Sequence, residues 1–179
     1  MGGMRGAGSP AVTGEVAFGL AISEDRQHAA IVAAGRGDRG KILVDLAPFY
    51  DHPRGAVARM SGLYEKHDPV AVAVDPKSQA ATLIKPLAEA GIKVTELDTG
   101  DVVVAHGEFL DLVNDQLLEH LEQPPLTAAV RAAQQRRLGG AQAWEPKVAV
   151  DQSPLMAATV AVWAFQRWEE LSKPGVYVV

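Results

Sequence analysis

Residues 15–49 read EVAFGLAISEDRQHAAIVAAGRGDRGKILVDLAPF, and the fold is decided there. Glu15 to Ile22 is apolar almost throughout, the polar run Ser23-Glu24-Asp25-Arg26-Gln27 interrupts it, and Ala29 to Ala34 is apolar again. Short apolar runs bounded by polar turn formers are strands joined by a turn. Gly35-Arg36-Gly37-Asp38-Arg39-Gly40 makes a second turn, and Lys41 to Phe49 adds a third β-rich segment ending near Pro48. Three sequential strands on short turns predict an antiparallel meander.

Beyond the meander the periodicity changes. From Pro53, residues Val57, Met60, Leu63 and Tyr64 fall on one helical face, and Asp68-Pro69 ends that helix. Val70 to Val74 (VAVAV) does not alternate, which predicts a strand buried on both faces, with Asp75 at its carboxyl end. Ser78 caps a helix through Leu83, Ile84 and Leu87 to Gly91, and Ile92 to Leu97 returns as a strand. Helical spacing resumes from Val102 through Phe109 and Leu112 to Leu117, and a further helix over Leu126 to Leu138 is opened by Pro124-Pro125. After Gly139-Gly140, a short segment at Val148 to Val150 leads to Asp151, and Ser153-Pro154 starts a helix with Leu155, Ala158, Val162 and Phe165 on one stripe. A three-strand antiparallel meander followed by parallel strands alternating with helices is an α/β domain: a mixed sheet with helices on both faces.

Composition bounds the function. The chain has 179 residues, 47% hydrophobic and 22% charged, and no cysteine, so cysteine-type structural zinc and thiol catalysis are excluded. The most apolar run, Ala157 to Phe165, is nine residues long, against the ~20 needed to cross a bilayer; this predicts no membrane contact and a cytoplasmic setting. A formal charge of −5 has the wrong sign for bulk attraction to nucleic acid, so any such binding must be local. Residues 1–14 read as a glycine-rich leader, 15–168 as the folded domain, and 169–179 as a C-terminal tail.

Two acids stand out by position. In open α/β sheets, sites form beyond the carboxyl ends of central strands. Asp75 follows VAVAV there, and Asp151 sits after VAV and before a helix, so both carboxylates can face one edge. Carboxylates converging from distant parts of a chain suit a hard divalent cation, which takes oxygen ligands and keeps several waters. The plainer alternative is that Asp75 begins a turn before Pro76 and Asp151 contributes to a helix cap.

Strand, hairpin, strand, then Ala71-Val72-Ala73-Val74-Asp75-Pro76, Phe109 to His120, Ala128 to Arg137, and Asp151-Gln152-Ser153-Pro154-Leu155 with Ala161-Val162-Trp163: this order resembles the C-terminal nuclease domain of phage terminase large subunits. The resemblance covers residues 15–168. It implies an RNase H-like fold and a metal-dependent endonuclease that cuts concatemeric double-stranded DNA during viral DNA packaging. The implied partners are a terminase ATPase domain, a small terminase subunit and a portal, in the host cytoplasm. Asp75 matches the family's second catalytic acid and Asp151 its last. The implied cofactors are two Mg or Mn ions, one activating water and one stabilising the leaving oxygen.

The chain departs from that pattern at one point. The family's first acid lies in the first strand, and Gly19-Leu20-Ala21-Ile22-Ser23 places Ala21 there. Alanine coordinates nothing. Asp25 has the parity of position 21, but four residues of strand span ~13 Å, and Glu24 faces the other side if the strand continues. The expectation is weak metal binding and slow or absent cutting. A non-catalytic RNase H-like module, used for DNA docking or assembly, is the alternative. Lys77 is placed to touch a scissile phosphate, and Arg131, Arg136 and Arg137, on the helix after Pro125, to grip DNA backbone; a solvated loop and a solvated helix face are their plain readings. Gly35 to Lys41 lacks the final Ser or Thr of a phosphate loop, and a strand follows it where a helix must begin, so no nucleotide site is expected there. His106 and His120 lack the spacing of a helical zinc pair, and Trp163 reads as core.

Overall fold

The computed structural model describes residues 12–173. Its first three strands are β1 (Val12–Ile22), β2 (Ala29–Gly37) and β3 (Ile42–Asp51), paired antiparallel in sequence order as the meander predicts. α1 (Ala56–His67) follows and ends at Asp68 in the left-handed conformation. β4 (Ala71–Val74), α2 (Ala81–Glu89) and β5 (Val94–Glu96) extend the sheet beyond β1 with parallel pairing. α3 (Thr99–Asn114) returns the chain to the far edge, where β6 (Leu118–His120) pairs parallel with β3. The six-stranded order is therefore β5-β4-β1-β2-β3-β6.

α4 (Pro124–Arg131), a two-stranded hairpin of β7 (Gln135–Leu138) and β8 (Ala141–Trp144), and α5 (Ser153–Ser172) complete the domain. Among the described residues, no helix is long and apolar enough to cross a membrane.

Side chains of β1 alternate between two cores. Ala17 and Ala21 join the cluster built on α5, whereas Phe18, Leu20 and Ile22 join Met60 and Leu63 of α1 and Leu83 and Leu87 of α2. Helices thus cover both faces. α5 buries twelve residues and lies against β1, β2, β3 and β4. Its approach to β1 depends on Gly19, where a Cβ would stand 2.2 Å from the Ala157 carbonyl oxygen. Alanines 157, 158, 161 and 164 keep the helix side of that contact equally thin.

Several expectations need correction. The helix read over Leu126 to Leu138 stops at Arg131, and Gln135 to Trp144 forms the hairpin, turned by Gly139 and Gly140 at φ 56° and 84°. Gly-Gly at both central positions is the chemistry of a tight hairpin turn. Trp144 anchors it: its ring meets His106 and Phe109 edge-on, and its Nε1 donates to Thr159 Oγ1 at 2.9 Å. Arg136 and Arg137 therefore lie on a strand, and only Arg131 is helical.

Val148 to Val150 forms bends with no strand, so Asp151 does not follow a strand end. Ser78 does not cap α2; its hydroxyl donates to the Asp75 carbonyl in the preceding turn. α3 starts at Thr99, earlier than read, because Asp98 and Asp101 form a reciprocal capping box. β1 begins at Val12 and α5 runs to Ser172, so regular structure reaches into both ends assigned to leader and tail. The leader as far as residue 11 and the tail from Pro174 lie outside the described residues.

Candidate active site

Asp75 stands one residue beyond β4, whose parallel register pairs Leu20 with Val74. The next residues along, Ala21 and Asp75, are therefore neighbours across adjacent strands, ~4.8 Å apart in backbone spacing. Asp75 Oδ1 accepts the Lys77 backbone N–H at 2.9 Å, so the acid also shapes its own turn. Its carboxyl is half-buried, and burial pushes its pKa above the usual carboxylate range against the Lys77 N–H and the charges of Arg136 and Lys77.

Asp151 lies in the bend before α5. Its Oδ1 accepts the Ser153 N–H at 2.8 Å, and its Oδ2 accepts the Ser153 hydroxyl at 2.9 Å together with the Tyr50 hydroxyl. Burial, then this hydrogen bond, raise the Tyr50 hydroxyl's pKa far above the ordinary tyrosine value, so Tyr50 remains a donor at any physiological pH. The Tyr50 ring is stacked on His28 at 4.6 Å. The cap and turn roles read for the two acids are thus both present.

Both acids also line one cleft of about 260 Å³. Glu24 lines it too. β1 ends at Ile22 and the chain turns, so Glu24 does not face away as a continued strand would require. Arg26 fixes that turn by donating to the Gln79 carbonyl at 2.9 Å and to the Thr82 hydroxyl at 3.0 Å, across the loop that follows Asp75. Asp25 stays in the turn, where the Ser23 hydroxyl and then the Gln27 N–H hold its carboxyl below the usual range.

Lys77 and Arg136 bring positive charge to the same cleft; Arg131 and Arg137 are exposed and are not among its lining residues. Gln152, fully buried, donates its Nε2 to the carbonyls of Ala129 and Val150. A smaller pocket of about 40 Å³ opens beside the cleft, where Ala21 meets Asp75, His106 and Arg136.

These residues do not fit a pair of divalent ions. Among the described residues, no three His, Cys, Asp or Glu side chains stand together closely enough to hold an ion. Ala21 leaves the strand end beside Asp75 without a ligand, and Arg136 sets a cation against Asp75. Two ions need several carboxylates to neutralise them, one of them bridging.

Sequence reasoning missed Tyr50, the cleft position of Glu24 and the strand position of Arg136. For the last, the Gly139-Gly140 pair was the available signal. Tyr50 reaches Asp151 across 101 positions, a contact with no local signature.

No family model matches the chain, and no curated protein sequence does. Solved structures do. The large terminase of bacteriophage HK97 is similar at 18% identity and a TM-score of 0.69 over 87% of this chain and 40% of that one. The large terminase nuclease of thermophilic phage G20c is similar at 16% identity and a TM-score of 0.65 over 82% of this chain and 80% of that one. The same nuclease with bound magnesium gives 15%, 0.63, and 82% and 79%. This chain therefore spans 40% of the length of the HK97 protein. The likeness shows the fold, an RNase H-like mixed sheet of the kind found in terminase nuclease domains.

Proposed function

We propose that this chain is the nuclease domain of a viral DNA-packaging terminase whose cutting centre lacks its first acid, so that it engages double-stranded DNA at the cleft and cuts slowly or not at all. The observation that carries the reading is the β1–β4 register, which sets Ala21 beside Asp75 while Asp151 lines the same cleft. A carboxylate at position 21 would stand beside Asp75 at the end of β1, next to the cleft that Glu24, Asp75 and Asp151 line. Arg136 and Lys77 supply the local positive charge that an acidic domain needs to hold a phosphate backbone. A terminase ATPase domain, a small subunit and a portal are the partners in this reading, with concatemeric DNA in the host cytoplasm as substrate.

The test is plasmid cleavage in Mn²⁺ by the wild type, Ala21→Asp, and Ala21→Asp combined with Asp75→Ala. The reading expects little cleavage by the first, strong cleavage by the second and none by the third. If Ala21→Asp folds and shows no cleavage dependent on Asp75, the nuclease reading fails. The non-catalytic docking module gains from one observation, the engagement of both Asp151 oxygens in local hydrogen bonds; it predicts DNA binding in all three proteins and cleavage in none.

A further inference from the structure

The space beside Ala21 is a chemical feature in its own right. It is a pocket of about 40 Å³ whose wall combines apolar side chains with Asp75, Arg136 and His106. His106 is 4% exposed, and its Nε2 has no hydrogen-bond partner among the described residues. A buried imidazole nitrogen without a partner carries an uncompensated desolvation cost, part of which a ligand that meets it recovers. Burial holds the imidazole below its usual pKa, so it is neutral at pH 7 and one of its nitrogens carries a proton to donate.

Size and charge then select the ligand. A dry cavity of ~150 Å³ takes a benzene ring, so a pocket of about 40 Å³ that opens to the cleft holds only the charged end of a small ligand. Aspartate differs from alanine by a carboxylate, which is three heavy atoms. Arg136 provides planar N–H donors whose fork matches a carboxylate. Asp75 opposes a second negative charge there, and the guanidinium offsets that repulsion, so binding is weak and depends on Arg136.

We propose that this pocket binds a small monocarboxylate, formate or acetate, in the space an aspartate side chain at position 21 would fill. The carboxylate would accept from the Arg136 guanidinium and the His106 imidazole and lie beside Asp75. The occupant returns to the strand end the group that Ala21 lacks. Binding is a property of the pocket alone and stands or falls independently of the cleavage reading.

The experiment is a titration of the wild-type protein with sodium formate, acetate and propionate at ionic strength matched with sodium chloride, following the His106 imidazole resonances by NMR. A saturable shift is expected with formate, a weaker one with acetate, and none with propionate or chloride. Ala21→Asp fills the space and is expected to abolish the formate response. Arg136→Gln leaves the space open and is expected to weaken formate about tenfold, the loss of one charge-assisted hydrogen bond. Absence of a saturable formate response overturns the proposal, as does an equal response to propionate or chloride, or an Arg136→Gln affinity equal to wild type.

Discussion

Substituting Gly19 by alanine tests whether the thin contact between β1 and α5 holds the domain together. The added Cβ would meet the Ala157 carbonyl oxygen at 2.2 Å, the Val160 Cγ2 at 2.7 Å and the Ala161 nitrogen at 2.8 Å. Two of those three atoms belong to the helix backbone, which cannot rotate aside as a side chain can. Ordinary contact begins at 3.4 Å, so α5 must retreat by more than 1 Å along this part of its length. A radial gap of ~0.5–1 Å already forfeits about a quarter to a half of each dispersion contact, and α5 has twelve buried residues to lose them from. Overpacking in cores costs ~1–3 kcal/mol, occasionally more, and a backbone clash belongs at the upper end. For a domain of this size each kcal/mol lowers Tm by ~2–4 °C, so Gly19→Ala is expected to melt about 6–12 °C below wild type. Gly62, inside α1 with nothing within 4 Å of its notional Cβ, is the control. There alanine relieves a helical glycine and is expected to add ~0.5–1 kcal/mol. Circular dichroism melts of both variants decide the matter: Gly19→Ala within ~2 °C of wild type, or a loss at Gly62→Ala equal to that at Gly19→Ala, would refute the close-approach argument.

Three further outcomes follow from the cleft. Because burial raises the Asp75 carboxyl, the folded state binds its proton more tightly than the unfolded chain does, and ionisation costs stability once pH rises through the folded value. Asp75→Asn is therefore expected to raise Tm at pH 7, with the gain closing as pH falls toward 3.8, where both states are protonating; a gain independent of pH would contradict this. Tyr50→Phe removes a donor from Asp151, and a hydrogen bond to a charged group is worth ~1.5–3 kcal/mol, with the lower end expected at a half-buried site; urea denaturation with an unchanged m-value would show it, and an unchanged midpoint would not fit. If Arg136 contacts a DNA phosphate, Arg136→Gln should flatten the salt dependence of duplex binding by ~0.9 in the log–log slope, with Arg131→Gln leaving it unchanged; equal slopes in anisotropy titrations of all three proteins would remove Arg136 from the interface.

The meander was legible because its signals are local. Apolar runs bounded by polar turns need no distant partner to be recognised, and the core then only confirms the pairing of β1, β2 and β3. Residues 132–144 show the opposite case. Ala132-Ala133-Gln134-Gln135-Arg136-Arg137-Leu138 consists of good helix formers, and a local reading continues α4 through it. Trp144 overrides that preference by docking on α3 and α5, which peels the segment into a hairpin and carries Arg136 to the cleft. β6 has three residues and exists because β3 offers its edge, a fact of the assembled sheet. Asp151 was found for a reason that does not hold. Val148 to Val150 is no strand, and the acid reaches the cleft through the bend held by Tyr50, Ser153 and Gln152.

Ala21 carries the remaining step. On β1 it shares a face with Ala17, it is 3% exposed, and considered alone it is one more small residue under α5. Only the parallel register with β4, placing Leu20 opposite Val74, turns it into the neighbour of Asp75. Core packing and site chemistry therefore compete for one position. An alanine there suits the thin layer that Gly19 and the α5 alanines maintain, whereas an aspartate would bring a second carboxylate into a half-buried corner already pushed toward its neutral form. Burying like charges together raises the cost of ionising either unless an opposite charge comes with them. Arg136 joins Lys77 as a cation at that corner and is brought there by the hairpin, so Ala21→Asp combined with Arg136→Gln should be less stable without divalent ions than the two single losses add up to. Simple additivity of the two in thermal melts would mean that the guanidinium does not act on that corner.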